Sequence, residues 1–244
     1  MAVMTTRVAS AEHVADNVIQ LRLVKPEGFT WKTGEFARVG LKIEGDEVFR
    51  AYSIGTAPAS ETVDFYIANV TGGILSPKLN QIKTGDSVLI DTEVGGMLLA
   101  DRLEAGGKDL WMFASGTGVS PFLAVLSDES ITSRFERLIL VHGVRTWNET
   151  GYVSRLVKRS PKLTVVACVT REKGAAVNER IPDALADGSF EKLAGITIEK
   201  EHSRVMLCGN PGMVKSVREA MKARGIVSPR GGKPGQLLAE NFWL

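Results

Sequence analysis

Residues 109–121 read DLWMFASGTGVSP, in which an apolar run leads into a turn containing Gly116 and Gly118 and then into Pro121. A continuous apolar run of this length is typical of a parallel strand that is buried on both faces. The glycines allow the backbone of the turn to approach a ligand closely, and the proline suits the first turn of a helix. We therefore expect a strand, a turn and a helix. The turn either binds a nucleotide or is an ordinary strand-to-helix connection.

The sequence downstream of this stretch alternates strand patterns with helical patterns. This alternation predicts a C-terminal nucleotide-binding α/β domain with a parallel sheet, whose ligands bind at the carboxyl ends of the strands. Those ends carry Thr170-Arg171 and Cys208-Gly209 as well as the turn at Gly116. We expect strands at 110–114, 138–141, 163–169 and 205–208, and helices near 119–127, 149–159 and 211–224.

The sequence upstream is organised differently, as short β-like runs separated by turn residues. Val63, Phe65 and Ile67, for example, alternate with other side chains at the two-residue period of an antiparallel strand. Six such strands favour a small closed antiparallel barrel. We expect strands at 6–14, 17–25, 36–43, 48–55, 63–69 and 86–91, a short helix around 75–81, and domains at 1–101 and 102–244.

Composition and charge exclude several classes of protein. The chain has 244 residues, of which 44% are hydrophobic and 24% charged, as in an ordinary globular protein of two domains. Its net charge of +2 argues against general nucleic-acid binding, and no stretch predicts a membrane span or a signal peptide, so we expect a cytoplasmic protein. The two cysteines, Cys168 and Cys208, have the spacing of neither a disulfide framework nor a zinc site, so no metal is expected.

Positive charge is concentrated in residues 134–180, which contain 10 Lys and Arg against 4 Asp and Glu. Such an excess suits a phosphate-bearing ligand or an acidic partner. A solvated helix face is the alternative, and it is the favoured one for Lys158, Arg159 and Lys162 taken alone.

Two groups in the predicted barrel could hold a ligand. Arg50 and Tyr52 lie two residues apart in a strand and so share a face, where a guanidinium could bind a phosphate beside a flat ring that packs on the tyrosine. A surface cross-strand pair is the alternative, and for these two residues alone it is favoured. Gly72-Gly73 and Ser76 precede and begin a short predicted helix and offer a second anion site.

Five motifs, in this order and spacing, resemble those of the bacterial ferredoxin (flavodoxin)–NADP reductases over essentially the whole chain. The family has an FAD-binding antiparallel barrel followed by an NADP-binding α/β domain, the same order as the pattern above. The resemblance implies hydride transfer between NADP(H) and non-covalent FAD, and single-electron transfer between FAD and a carrier, often from NADPH to the carrier in bacteria. The motifs are Arg50-Ala-Tyr-Ser53, Gly72-Gly-Ile-Leu-Ser76, Gly116-Thr-Gly-Val-Ser-Pro121, Leu207-Cys-Gly-Asn-Pro-Gly-Met213 and Ala239-Glu-Asn-Phe-Trp243.

The resemblance implies most of the FAD site. Its parts are a phosphate and isoalloxazine group, a strand along the flavin, a pyrophosphate loop and a threonine beside the nicotinamide cleft. These are Arg50, Tyr52 and Ser53; Tyr66, Ile67 and Asn69; Gly73, Leu75 and Ser76; and Thr117. At the C-terminus, Phe242 would cover the flavin face and Trp243 would pack near the adenine, in a tail closer to the relatives that end in Tyr-Trp. An apolar end that merely closes the core is the alternative.

The resemblance also implies an NADP site and three catalytic residues. A strand end with Thr170-Arg171 in place of a carboxylate favours NADP over NAD, and we expect Glu172 to point into solvent. Cys208 would shape the hydride path near the nicotinamide and would not act as a nucleophile, although a buried apolar filler, as expected for Cys168, is the alternative. The NADP residues are Thr117, Arg145, Thr170, Arg171, Arg180, Cys208 and Gly209, and the catalytic residues are Ser53, Cys208 and Glu240.

The implied partner is a small acidic carrier, ferredoxin or flavodoxin, steered by Arg and Lys side chains around the flavin cleft of a monomer. Two alternatives stay open. One is an electron-transfer subunit of a larger oxidoreductase, a class that typically carries iron–sulfur cysteines, which this sequence lacks. The other is a free-flavin reductase, which would purify without flavin colour.

Overall fold

The computed structural model describes residues 3–153 and 160–242. The first part of the chain forms six antiparallel strands, at the positions that the two-residue pattern predicts. In β5, Val63, Phe65 and Ile67 point into a core shared with the other strands, as their alternation indicates. The strands are β1 (Val3–Ala15), β2 (Val18–Val24), β3 (Phe36–Ile43), β4 (Asp46–Ser53), β5 (Thr62–Ala68) and β6 (Ser87–Asp91).

The six strands form one sheet in the order β4-β3-β6-β1-β2-β5, so β4 and β5 are its two edges. The edges come together beyond the end of β4, where Gly55 N–H donates to Asp64 O across 2.7 Å. Gly55 is needed at this junction because a Cβ atom there would lie 2.7 Å from the ring of Tyr66. No ladder pairs β4 with β5. The seam between them faces the second domain, since a Cβ atom at Gly55 would lie 3.2 Å from Ser120 Oγ.

The second part of the chain forms a five-stranded parallel sheet in the order β11-β10-β7-β8-β9. The chain moves outward from β7 to β9 and then crosses to the other side of β7, so β7 and β10 flank the point at which the strand order reverses. Ligands of such sheets bind at this point. The strands are β7 (Asp109–Ser115), β8 (Arg137–Val144), β9 (Leu163–Val169), β10 (Ser203–Gly209) and β11 (Leu237–Asn241).

Short helices accompany both sheets. The longest follows Asn210, whose side-chain oxygen accepts from the N–H groups of Gly212 and Met213, with Pro211 in the first turn. Both of these features are typical of a helix start. The helices are α1 (Ser76–Leu79), α2 (Ser120–Ser127), α3 (Glu129–Thr132), α4 (Ile181–Ala186), α5 (Ser189–Ala194) and α6 (Pro211–Ala223), with 3-10 turns at Ala100–Arg102, Gly116–Val119 and Trp147–Thr150.

The α/β domain contains elements that the sequence patterns missed. The sequence predicts four parallel strands and three helices, but the sheet has a fifth strand, β11, and the described residues contain three further helices, α3, α4 and α5. Each of these four elements is only four to six residues long, too short to show a clear period. Of the helix predicted near 149–159, residues 151–153 are helical and residues 154–159 lie outside the described part of the chain.

The two domains share a buried core. Val14 and Val18 of the barrel pack with Phe122 of α2 and Leu238 of β11 in one apolar cluster on the barrel side of the parallel sheet. One polar link crosses the same boundary, where the Ser120 hydroxyl donates to Ser53 O across 2.9 Å. The seam of the barrel is thereby held against the carboxyl ends of β7 and β10.

A buried carboxylate supports the edge strand β5. Asp64, 2% exposed, accepts from the Arg22 guanidinium at 2.7 to 3.1 Å and from the Gln20 amide at 2.8 Å, both on β2. The carboxylate raises the pKa of Arg22, chiefly through this hydrogen bond. A buried charge of this kind is tolerated because a cation and a further donor satisfy it.

Replacing Arg22 by methionine should therefore lower the free energy of unfolding by roughly 3 kcal/mol, because the Asp64 carboxylate would stay buried without its charge partner. Urea unfolding followed by far-UV circular dichroism measures the change. Arg7→Met, at an exposed position on neighbouring β1, is the control and should change the value by less than about 0.5 kcal/mol. Equal effects of the two substitutions would contradict a structural role for the Arg22–Asp64 pair.

Candidate active site

A cavity of about 530 Å³ lies where the barrel seam meets the carboxyl ends of the parallel strands. Its size is within the range typical of small-molecule sites. Both domains and the C-terminal segment contribute to its wall. The residues are Phe36, Arg50, Ala51, Tyr52, Ser53, Tyr66, Ala68, Val70, Gly73, Ile74, Leu75, Ser76, Thr117, Ser120, Glu240, Asn241 and Phe242.

The paired positions on β4 place a cation and a phenol on the cavity wall. Arg50 is exposed and uses one N–H group to donate to Phe49 O across 2.7 Å, which leaves the rest of its guanidinium available to a phosphate. Burial raises the pKa of Tyr52 to about 12, although the Arg50 charge opposes the shift. Tyr52 therefore stays neutral at physiological pH and can pack against a ring while donating its hydroxyl proton.

The loop before α1 presents a hydroxyl to the same cavity. The Ser76 oxygen accepts from Val70 N–H across 3.1 Å, so its own proton remains available to an anionic oxygen. Gly73 lies between the two, and a Cβ atom there would be 3.0 Å from Val70 O and 3.1 Å from the Ser76 oxygen. The loop is closed so tightly that a side chain at position 73 would disturb it.

Two buried polar atoms at the cavity have no hydrogen-bond partner among the described residues, Ser53 Oγ and Glu240 Oε2. Burial raises the pKa of the Glu240 carboxyl to about 7, although a bond from the Met97 N–H opposes the shift. Unpaired buried polar atoms are costly and rare in folded proteins. Their presence in the lining of one cavity indicates a site built for a polar ligand, and the arrangement fits a flavin with hydrogen-bonding ring edges and a pyrophosphate.

A histidine that the sequence patterns missed, His142, forms a hydrogen bond to the turn that carries Thr117. His142 Nε2 lies 2.9 Å from Gly116 O, and burial lowers the pKa of His142 to about 4, so the neutral ring donates this bond through Nε2. Tyr152 packs edge-on against His142 and stacks on Tyr66 with 5.2 Å between ring centroids. The signal for His142 was weak, because one polar residue in an apolar strand does not show what it contacts.

The carboxyl ends of β7 and β10 approach each other as closely as backbone allows. A Cβ atom at Gly118 would lie 2.4 Å from Cys208 O, and one at Gly209 would lie 2.3 Å from Ser115 Oγ. Both glycines are therefore required by the packing of the two strands, whatever ligand binds beside them. Asn210 N–H also donates to Ser115 Oγ across 2.8 Å, which fixes the turn that follows β10.

Several predicted site residues do not reach the cavity wall. Ile67 points into the barrel core, Asn69 is exposed, and Cys208 is fully buried at the end of β10, next to Glu240 in the ladder with β11. Burial and, to a lesser degree, the Glu240 charge raise the pKa of the Cys208 thiol well above its ordinary value, so it stays protonated. A part for Cys208 in the reaction stays a prediction.

The C-terminal segment enters the site as an extra strand. β11 pairs in parallel with β10, and Phe242 N–H then donates to Gly209 O across 3.0 Å. The half-buried Phe242 ring lines the cavity together with Tyr52 and Tyr66. Trp243, predicted to pack near an adenine, lies outside the described residues.

The predicted phosphate-binding residues lie beyond the carboxyl ends of β8 and β9. Arg171 N–H donates to Arg145 O across 2.9 Å, so the two arginines sit side by side after β9 and β8. Thr170 and Arg180 are exposed in the same region, and within residues 3–153 and 160–242 no side-chain ion pair engages Arg145, Arg171 or Arg180. Three guanidinium groups suited to an anion are thus presented to solvent, whereas the Thr170 hydroxyl donates to Val144 O across 3.2 Å.

Glu172 is exposed, as expected, but its side chain also makes a contact that the sequence did not predict. Its carboxylate accepts from Trp147 N–H across 2.5 Å, because the 3-10 turn that follows β8 leaves this N–H without a partner of its own. The Glu172 charge is therefore committed to the backbone of that turn.

In the described part of the chain, no helix has the length and apolar character required to cross a membrane. In that same part, no three His, Cys, Asp or Glu side chains are grouped closely enough to hold a metal ion.

Two family models match the chain. The model of the oxidoreductase FAD-binding domain matches residues 5–97, and that of the oxidoreductase NAD-binding domain matches residues 112–219. The ferredoxin–NADP reductase of Pseudomonas aeruginosa is 33% identical, with 98% of this chain and 97% of the relative aligned. The flavodoxin/ferredoxin–NADP reductase of Escherichia coli is 34% identical, with 98% of each aligned.

A solved structure is similar over the whole fold. The ferredoxin NADP+ reductase from Neisseria gonorrhoeae, with bound FAD and NADP, gives a TM-score of 0.93 at 30% identity and covers 99% of both chains. These findings confirm the family resemblance and the predicted fold class.

Replacing Glu240 by glutamine should change how stability depends on pH. Folding raises the pKa of Glu240 from 4.5 to about 7, so the folded protein favours the protonated carboxyl. The contribution of this carboxyl to the free energy of unfolding is therefore fully present at low pH and is lost as pH rises through about 7. Urea unfolding should show the variant more stable than the parent at pH 8, by at most about 3 kcal/mol, with no such gain at pH 5.

The exposed Glu219→Gln on α6 is the control for this comparison. It should show the same difference from the parent protein at both pH values. A pH-independent difference for Glu240→Gln as well would contradict the raised pKa.

Proposed function

The chain belongs to the ferredoxin–NADP reductase family, and from this premise we propose that it transfers electrons between NADP(H) and ferredoxin or flavodoxin through bound FAD. The observation that carries the proposal is the cavity itself. The barrel seam, the Thr117 turn and the C-terminal segment converge on it, and residues from four of the five family motifs line it. Bound FAD would exchange hydride with the nicotinamide and single electrons with the carrier.

The barrel residues would hold the cofactor. The Arg50 guanidinium and the Ser76 hydroxyl would bind the pyrophosphate as charged and neutral donors, and Tyr52 would pack on the isoalloxazine ring. Ser53 Oγ and Glu240 Oε2, which lack partners among the described residues, would meet the polar edge of the ring. With a pKa of about 7, the Glu240 carboxyl could hold or release a proton there under physiological conditions.

The residues at the end of the parallel sheet would position the nicotinamide. Thr117, on a turn anchored by His142, would lie beside it, while Cys208 would shape the floor of the cleft from below. Phe242 would cover the flavin face and exclude water until the nicotinamide displaces it. Displacing Phe242 would cost free energy, so the closed site would lower the affinity of the enzyme for nucleotide.

The nucleotide would extend from this cleft towards Arg145, Thr170, Arg171 and Arg180. A 2′-phosphate placed among these residues would be bound by charge-assisted hydrogen bonds, which a free ribose hydroxyl cannot match. We therefore propose NADP as the dinucleotide. The side-by-side placement of Arg145 and Arg171 supports this choice.

The carrier would dock at the open mouth of the cavity. Arg50 there and Lys78 on α1 are exposed cations that would steer an acidic protein towards the flavin, an effect that salt would screen. We further propose that the chain works as a cytoplasmic monomer without nucleic-acid or membrane partners, and that residues 1–101 and 102–244 are its two domains.

The proposed function is tested by purification and a carrier assay. The protein should be yellow, release FAD on acid precipitation, and reduce flavodoxin or ferredoxin with NADPH as donor. A colourless protein that reduces free flavin but no carrier would indicate a free-flavin reductase. Recovery of FMN alone would overturn the cofactor assignment.

Arg171→Ala should raise KM for NADPH, because a charge-assisted hydrogen bond to the 2′-phosphate is worth about 1.5 to 3 kcal/mol. KM for NADH should change little. Arg218→Ala, at an exposed position on α6, is the matched control and should affect neither donor. Steady-state kinetics with both donors checks this, and equal losses for NADPH and NADH would show that Arg171 does not bind the 2′-phosphate.

A further inference from the structure

Trp147 is exposed in a way that its packing does not explain. It is 41% exposed, and none of the other exposed large apolar side chains of the described residues is aromatic. An indole normally buries most of its surface, so an exposed one either covers something or is mobile. The surrounding hydrogen bonds decide between these two explanations.

Trp147 is fixed to the loop after β9 at two points, one on its ring and one on its backbone. Its Nε1–H donates to Lys173 O across 3.2 Å, and its backbone N–H donates to the Glu172 carboxylate across 2.5 Å. The Asn178 amide in turn donates to Glu172 O and Val169 O, which ties the loop to the end of the strand. The ring is therefore held in one orientation with much of its surface in solvent.

The position of the ring relates it to the nucleotide. Trp147 follows Arg145 by two residues after β8, and the loop that fixes it begins at Arg171, whose N–H donates to Arg145 O. The same strand ends thus present a rigid aromatic ring and two cations without ion-pair partners among the described residues. An aromatic ring beside paired guanidinium groups suits a flat base that is attached to a phosphorylated ribose.

We propose that Trp147 is the platform on which the adenine ring of the dinucleotide stacks. This inference rests on the proposed function and deepens it, because it assigns a residue to the base whereas the arginines are assigned to the 2′-phosphate. Stacking does not depend on the 2′ position, so Trp147 contributes equally to the binding of phosphorylated and unphosphorylated nucleotides. Its contribution sets total affinity, and Arg171 sets the preference for NADP.

The test compares Trp147→Leu with Trp147→Phe in the FAD-loaded protein. Both variants lose the bond to Lys173 O, but only the phenylalanine variant keeps a ring for stacking. Isothermal calorimetry should show Trp147→Leu binding adenosine 2′,5′-bisphosphate and adenosine 5′-diphosphate about 10-fold more weakly, by the same factor for each. Trp147→Phe should retain most of the affinity, and nicotinamide mononucleotide, which has no adenine, should be unaffected.

Leu193→Ala removes another exposed apolar side chain of the same domain and should leave all these affinities unchanged. Equal affinities for Trp147→Leu and Trp147→Phe, or a loss confined to the 2′-phosphorylated ligand, would overturn the platform. If Trp147→Leu does not fold, quenching of tryptophan fluorescence by adenosine 2′,5′-bisphosphate decides. The quenching should occur in the parent protein and be lost in Trp147→Phe, and its persistence would overturn the proposal.

Arg171→Ala separates this inference from the proposed function. If that variant loses only the bisphosphate and Trp147→Leu loses nothing, the nucleotide site stands and Trp147 is not part of it. If neither variant changes the binding of either ligand, the nucleotide binds elsewhere. Both the assignment of Trp147 as the adenine platform and the placement of the 2′-phosphate are then wrong.

Discussion

The site depends on the absence of side chains between the ends of β7 and β10. At Gly118 and Gly209 any Cβ atom would collide with the neighbouring strand, at 2.4 Å from Cys208 O and 2.3 Å from Ser115 Oγ. This close approach sets the turn that carries Thr117 directly beside the turn after β10. It also occurs where the strand order reverses, the place at which a parallel sheet opens to a ligand.

This contact also fixes what lies on either side of it. β11 extends the sheet beyond β10 and carries Glu240 and Phe242 to the barrel seam, while the turn after β7 continues into α2, whose Ser120 hydroxyl binds Ser53 O. Because Phe122 and Leu238 share a buried core with the barrel, the two sheets hold the cavity between them as one packed unit. A cofactor bound there contacts both domains at once.

Buried polar groups in the barrel and at the cavity differ in whether they have hydrogen-bond partners. The Asp64 carboxylate in the barrel is buried and fully paired, whereas Ser53 Oγ and Glu240 Oε2 at the cavity are buried without partners among the described residues. Unpaired groups of this kind weaken the fold and are useful only if a ligand satisfies them. Arg145 and Arg171 instead stay in solvent, where an unpaired charge costs little until a phosphate arrives.

The sequence alone determined the order of the two sheets, most strand positions and the motifs that line the cavity, because side-chain periods of two residues and apolar runs are local properties. It did not reveal β11, α3, α4 and α5, which are too short to show a period, nor the contact of His142 with Gly116 O or of Glu172 with Trp147 N–H. These contacts join residues 25 and 26 positions apart. Which polar side chain meets which backbone group is set by how neighbouring strand ends pack, and only the tertiary structure decides that.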